Sequence, residues 1–128
     1  MIGEIIGRIE KEAPEEVVEI EETIRVDPET EVTAMIRSPV HGKLLTGQVH
    51  FPDGCGSDQG LLVHVVFIVG GRRIPQSGAI AGNDTVIPVN FYIPVEIGQP
   101  IFIKVRNEDI VNYHEIAIKM TFRGKRWL

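Results

Sequence analysis

Apolar side chains recur at every second position in one short segment after another between residues 17 and 122. The most regular segment is the last, in which Ile116, Ile118, Met120 and Phe122 alternate with polar or small residues. Such alternation places one set of side chains on the buried face of a β-strand and the other set toward solvent. Because turn-forming glycine, proline, asparagine and aspartate separate the segments, the chain is predicted to be all-β.

Seven or eight strands at roughly even spacing predict an antiparallel β-sandwich, either jelly-roll-like or immunoglobulin-like. The order of the strands within the sheets does not follow from the pattern. The segment from Leu61 to Val69 is apolar on nearly both faces and is predicted to be a central strand. Pro88 cannot donate to a strand ladder, so it predicts an edge strand or a local irregularity. Gly47, in the register of Leu45, is a candidate β-bulge.

The first segment of the chain has a different period. Four isoleucines in it are spaced as on one face of a helix, namely Ile2, Ile5, Ile6 and Ile9. Pro14 ends the segment, because proline disfavours the helical region for the residue before it. We therefore predict an N-terminal amphipathic arm at residues 1–13, helical or extended, and a β-sandwich domain at residues 14–128. The isoleucines must pack on something, and we expect them to form an assembly interface.

The charges are unevenly distributed along the chain. Residues 1–30 hold ten acidic and three basic side chains, whereas residues 31–128 hold eight acidic and ten basic ones. The net charge of −5 disfavours nonspecific binding to nucleic acid, which requires a basic surface. Either the acidic first part meets the more basic body of a second copy, or it forms a solvated acidic face.

The N-terminal residues and the length of the apolar segments predict where the protein is located. The residues after Met1 do not have the basic and apolar regions of a signal peptide. The longest apolar run has nine residues, whereas a membrane helix takes about 20. We therefore expect a location in a virion or in the cytoplasm of a host cell, without a membrane partner. The 18 isoleucines, with only eight asparagines and glutamines, favour a thermostable protein.

No arrangement of residues predicts catalysis or a cofactor. The four histidines lack the close pairing that is typical of metal ligands. Cys55 is the only cysteine and lies in a glycine-rich loop, and a nucleophilic cysteine needs a base beside it. An enzyme would require a pocket in which His50 or His114 meets a carboxylate or Cys55. We predict a protein without catalytic residues, metal or other cofactor.

Turn and strand motifs follow one another in the second half of the chain. They are His50-Phe51-Pro52-Asp53-Gly54-Cys55, the apolar strand at Leu61, Asn83-Asp84-Thr85, Gly98 leading to Ile101-Phe102-Ile103, and Asn107-Glu108-Asp109 with His114 before the last strand. In these motifs the stretch from Val49 to Phe122 resembles small β-sandwich proteins encoded by tailed phages and archaeal viruses. The resemblance implies a virion structural role, such as that of a capsid decoration or accessory protein, and no catalytic residues.

Two functions are consistent with the sequence. The first is a non-enzymatic structural protein that assembles into homo-oligomers or onto a larger lattice, with a capsid or other assembly protein as a partner. The alternative is a sandwich module that binds a ligand, such as a carbohydrate, through loops at one end. Its candidate contacts are Asp58, Asn83, Asp109, Asn112 and Tyr113.

Overall fold

A computed structural model describes residues 14–127, which form antiparallel β-sheets and contain no helix. The strands are β1 (Glu15–Val26), β2 (Thr30–Arg37), β3 (His41–Phe51), β4 (Gly56–Ser57), β5 (Gly60–Leu61), β6 (Val63–Val69), β7 (Arg72–Ile74), β8 (Ile80–Ala81), β9 (Thr85–Val95), β10 (Pro100–Asn107) and β11 (His114–Lys125). The prediction of an all-β sandwich is confirmed. The proposed arm, with Ile2, Ile5, Ile6 and Ile9, lies outside the described residues.

The strand pairing is nested from the two ends of the chain toward its middle. The first sheet has the order β1-β11-β3-β9, and the second has the order β2-β10-β6-β7, with β8 also paired to β6. If β7 and β8 are taken as one interrupted strand, the first main strand pairs with the last, the second with the next to last, and so on inward. This is jelly-roll topology and not the strand order of an immunoglobulin domain.

The core lies between the inner faces of the two sheets. Its fully buried members alternate along their strands with outward-facing residues, and the largest are Phe51, Phe67, Phe122, Leu44, Ile101, Ile103, Ile116, Ile118 and Met120. Phe67 of the second sheet meets Phe91 of the first edge to face, with 5.1 Å between ring centroids. Each such side chain contributes roughly 1.5–3 kcal/mol through burial, and this shared core holds the two sheets together.

β3 contains a bulge, but at Leu45 and not at Gly47, where the sequence placed a candidate. Against β11, β3 has one extra residue, Leu45, whereas against β9 Leu45 stands opposite two residues without register partners, Phe91 and Tyr92. The extra residue turns the strand so that Leu44, rather than Leu45, enters the core. Gly47 has a different role, because a Cβ there would lie 2.8 Å from the ring of Phe91.

Two other strand predictions are confirmed. β6 lies inside the second sheet between β10 and the short strands β7 and β8, as the apolar run from Leu61 to Val69 predicted. β9, which contains Pro88, lies at an edge and pairs only with β3 among the described strands. No helix long and apolar enough to cross a bilayer occurs between residues 14 and 127.

Candidate functional site

Four loops meet at one end of the sandwich, which we call the loop end. They are residues 27–29, 52–62, 82–84 and 108–113. The N–H of Glu29 donates to the carbonyl of Asp109 (3.1 Å), and the N–H of Glu108 donates to the carbonyl of Leu62 (2.8 Å). A third bond, of 3.3 Å, joins loops 52–62 and 82–84. The loop end is therefore one connected surface.

A buried asparagine holds loop 108–113 in place. Asn107, at the end of β10, is only 1% exposed. Its amide nitrogen lies within hydrogen-bonding distance of the carbonyl oxygens of Val26 (3.2 Å), Asp27 (3.3 Å) and Asn112 (2.9 Å). Its Oδ1 accepts the N–H of Asp109 (2.9 Å). One side chain thus ties the turn between β1 and β2 to loop 108–113.

Asp109 continues the network inside the same loop. Its Oδ1 accepts the N–H groups of Val111 (2.9 Å) and Asn112 (3.2 Å), and its Oδ2 accepts the Nε2–H of His114 (2.9 Å). Hydrogen bonds to a carboxylate favour its charged form. The N–H of Val111 first, and then His114 and the N–H of Asn112, lower the pKa of Asp109 to about 2.

Cys55 lies on the other side of the His114 imidazole from Asp109. Its Sγ lies 3.7 Å from Nδ1 of His114. Because Nε2–H is donated to Asp109, Nδ1 is the ring nitrogen placed to accept a hydrogen bond from the Cys55 S–H. The order thiol, imidazole, carboxylate is the arrangement that activates a cysteine nucleophile. The sequence contains the types of residue that an enzyme would need, but no local pattern in it indicates that these three residues meet.

The environment of the thiol opposes that chemistry. Cys55 is fully buried. Burial raises the pKa of the Cys55 thiol to about 11, and the negative charges of Asp109 and Asp53 add to this. The thiol is therefore protonated near neutral pH, and it is the thiolate that attacks substrates and binds metals. In residues 14–127 no group of three or more His, Cys, Asp or Glu side chains is placed to hold a metal ion. The contacts of Cys55, His114 and Asp109 join loops 52–62 and 108–113.

The lowered pKa of Asp109 predicts a specific acid sensitivity. An unfolded aspartate has a pKa of about 3.9, so the stabilisation from the Asp109 carboxylate is complete above that pH and is lost as the pH falls through about 2. We expect the difference in unfolding free energy between the wild type and Asp109→Asn to shrink between pH 5 and pH 2, measured by urea denaturation. A difference that stays constant to pH 2 would show that the carboxylate charge contributes nothing.

The side chains that loop 108–113 presents to solvent are largely apolar. Ile110 is 72% exposed and Val111 is 73% exposed. Tyr113 is half exposed, and the guanidinium of Arg25 lies 3.8 Å from the centroid of its ring. The loop therefore turns Asp109 inward and exposes Ile110 and Val111, beside the exposed polar residues Glu108 and Asn112.

All five ligand contacts that the sequence proposed lie on loops of this end, but they do not form one polar surface. Asp58 is exposed at the tip of the β4–β5 hairpin, and Asn83 packs beside Gly56 of the same hairpin. The Asp109 carboxylate is engaged within the network, and the Asn112 side chain lies 3.5 Å from it. Asp58, Asn83 and Tyr113 remain at or near the surface.

The outer face of the second sheet carries a second notable surface. Met35, Phe102 and Ile68 lie side by side on β2, β10 and β6, and we call them the apolar row. Lys104, two residues along β10, lies between Thr33 and Val66 in register. A groove of about 840 Å³ crosses this face, lined by Ile68, Val66, Arg73, Lys104, Arg106 and neighbouring residues.

The nested pairing of two packed sheets defines the chain as a jelly-roll β-sandwich. No family model and no curated protein matches it. The crystal structure of a protein named FLHE is similar with a TM-score of 0.53 and 8% identity, over 88% of this chain and 99% of that one. At this identity the likeness shows a shared fold only.

Viral proteins also occur among the similar solved structures. A chain of the cyanophage Pam1 capsid has a TM-score of 0.49 and 13% identity, over 88% of this chain and 86% of that one. VP2 of the infectious bursal disease virus subviral particle has a TM-score of 0.47 and 16% identity, over 86% of this chain and 33% of that one. The structures that this chain resembles at low identity thus include viral capsid proteins.

Proposed function

We propose that this protein is a non-enzymatic structural protein whose copies assemble into homo-oligomers or onto a larger lattice. Its place would be in a virion, as a capsid decoration or accessory protein. The observation that carries the proposal is that loop 108–113 buries Asp109, hydrogen-bonded to His114, and exposes Ile110 and Val111 to solvent.

A loop that serves catalysis has to present its reactive groups to a substrate. Here His114 and Asp109 are almost fully buried and hydrogen-bonded to each other, and the thiol beside them is kept protonated. Ile110 and Val111 are presented instead. Exposed apolar patches are typical of surfaces that bind other proteins. Because the internal network already fixes the loop, little conformational entropy is lost when it binds.

The fold supports the virion part of the proposal in general terms. Jelly rolls are common in viral capsid proteins and also in lectins. The sequence motifs between Val49 and Phe122 resemble those of small structural proteins of viruses. The lectin association supports the alternative of a carbohydrate-binding module, for which Asp58, Asn83 and Tyr113 at the loop end remain candidate contacts.

Light scattering on the full chain tests the proposal. We expect an oligomer whose mass falls in the variant Ile110→Asp/Val111→Asp, because two charges would be buried without partners at the interface. The matched control is Val17→Asp/Val86→Asp, which changes two valines that are 65% and 50% exposed on the outer face of the first sheet. The control should keep the wild-type mass.

Other outcomes would contradict the proposal in different ways. If the double variant and its control lose mass equally, loop 108–113 is not the assembly surface. A wild type that stays monomeric at every concentration and is not retained by a purified capsid would refute the assembly function. A monomer that is retained on an immobilised glycan would favour the carbohydrate-binding alternative.

A further inference from the structure

We propose that the outer face of the second sheet is the binding site for residues 1–13 of a second copy of this chain. This inference rests on the proposed assembly function and adds the two segments that meet. It is carried by the chemistry of the face, by the charges beside it and by the composition of residues 1–13.

The apolar row is suited to hold aliphatic side chains. Met35 is 48% exposed and Phe102 is 37% exposed, and both lie in register with half-buried Ile68. The three residues span neighbouring strands, so they form a continuous strip across the sheet. Outward positions of a sheet that faces water are usually polar. An apolar strip at such positions therefore indicates that something covers it.

Ion pairs occur on the outer faces of both sheets. On the first sheet, Lys119–Glu19 (3.4 Å) and Arg123–Glu15 (3.6 Å) join β11 to β1. On the second sheet, Arg106 pairs with Glu108 (2.8 Å). Lys104 lies between Thr33 and Val66 and makes no ion pair among residues 14–127, although Glu31 lines the same groove. An unpaired cation thus lies next to the apolar row.

Residues 1–13 contain apolar and acidic side chains, one kind for each feature of the face. They hold four isoleucines, and their charged side chains are the acidic Glu4, Glu10 and Glu12 and the basic Arg8 and Lys11. Fully extended, 13 residues reach about 43 Å, which is more than the roughly 10 Å across the three strands of the apolar row. An isoleucine in the strip and a glutamate at Lys104 would satisfy both features of the face at once.

Residues 1–13 precede β1, which begins at Glu15. The assembly function on which this inference rests requires contacts between copies, so the receiver proposed here is the second sheet of a neighbouring copy.

Photo-cross-linking on the full chain tests this contact directly. A photoreactive phenylalanine analogue replaces Ile6, isotope-labelled and unlabelled protein are mixed, and cross-linked peptides are identified by mass spectrometry. We expect cross-links between labelled and unlabelled chains at peptides that contain Met35, Ile68 or Phe102. Cross-links confined to single chains would show that residues 1–13 cover their own sandwich, and would overturn the inference.

A charge reversal supplies an independent measurement. Lys104→Glu is expected to weaken self-association of the full chain about tenfold or more, because like charges meet in the interface. Lys43→Glu is the matched control, since Lys43 is an exposed lysine on the outer face of the first sheet. It should leave self-association unchanged.

The outcomes separate this inference from the function on which it rests. If the wild type is an oligomer but cross-links elsewhere, or if Lys104→Glu and Lys43→Glu behave alike, the inference fails and the assembly function stands. If the wild type is a monomer that binds no capsid, the assembly function fails and the inference fails with it.

Discussion

Replacing Asn107 by alanine is expected to lower the free energy of unfolding by about 3 kcal/mol. The substitution removes the amide near the carbonyls of Val26, Asp27 and Asn112, and it removes the acceptor of the Asp109 N–H. Buried polar groups left without a partner each cost roughly 1–3 kcal/mol, and only part of the loss is recovered if water enters.

Urea denaturation of the full chain measures this effect. Asn90→Ala is the matched control, because Asn90 is an exposed asparagine on β9, and its effect should stay within about 0.5 kcal/mol. Equal losses for the two variants would mean that the network around Asn107 adds no stability. Asn107→Ala should also expose the amides of loop 108–113 to hydrogen exchange, whereas Asn90→Ala should not.

The second large effect is expected at the closest approach of two strands. Gly42 of β3 and Gly124 of β11 are partners in register. A Cβ on Gly124 would overlap the carbonyl oxygen of His41, and a Cβ on Gly42 would overlap that of Arg123. Because both obstacles are backbone, Gly124→Ala must separate the strands, at an expected cost of about 3 kcal/mol.

Thermal and urea unfolding of Gly124→Ala test this expectation. Gly56→Ala is the comparison, since a Cβ there comes no nearer than 3.1 Å to another atom, Asn83 Cβ, and a shift of a few tenths of an ångström relieves the contact. We expect it to cost less than about 1 kcal/mol. A Gly124→Ala protein as stable as Gly56→Ala would show that β3 and β11 separate easily.

The strands could be predicted because alternation is a local property. A residue and the one two positions further along the strand face the same side of a sheet. The strands β1 and β11 could therefore be predicted from the residues of each segment alone. The bulge in β3 was misplaced because Leu44 and Leu45 are adjacent and equally apolar. Only the register with β9 and β11 decides which of the two enters the core.

The topology and the site depend on contacts that are distant in sequence. The pairing of β1 with β11, which sets Glu15 opposite Lys125, distinguishes a jelly roll from an immunoglobulin strand order. Nothing in the residues of β1 indicates that its partner is β11. Cys55 and His114 are 59 positions apart, so their contact has no local signal. By contrast, the spacing of Asn107 and Asp109 is typical of side chains that bind the backbone two residues on, and this signal was readable in the sequence.

The central position of β11 in the first sheet has a consequence for synthesis. β1 is made before the other described strands and pairs with β11 alone among them, and β11 is also one of the two neighbours of β3. A chain still on the ribosome therefore holds two strands with open edges until β11 emerges. Such edges invite pairing with other chains, so the nascent protein is vulnerable to aggregation until β11 has been made.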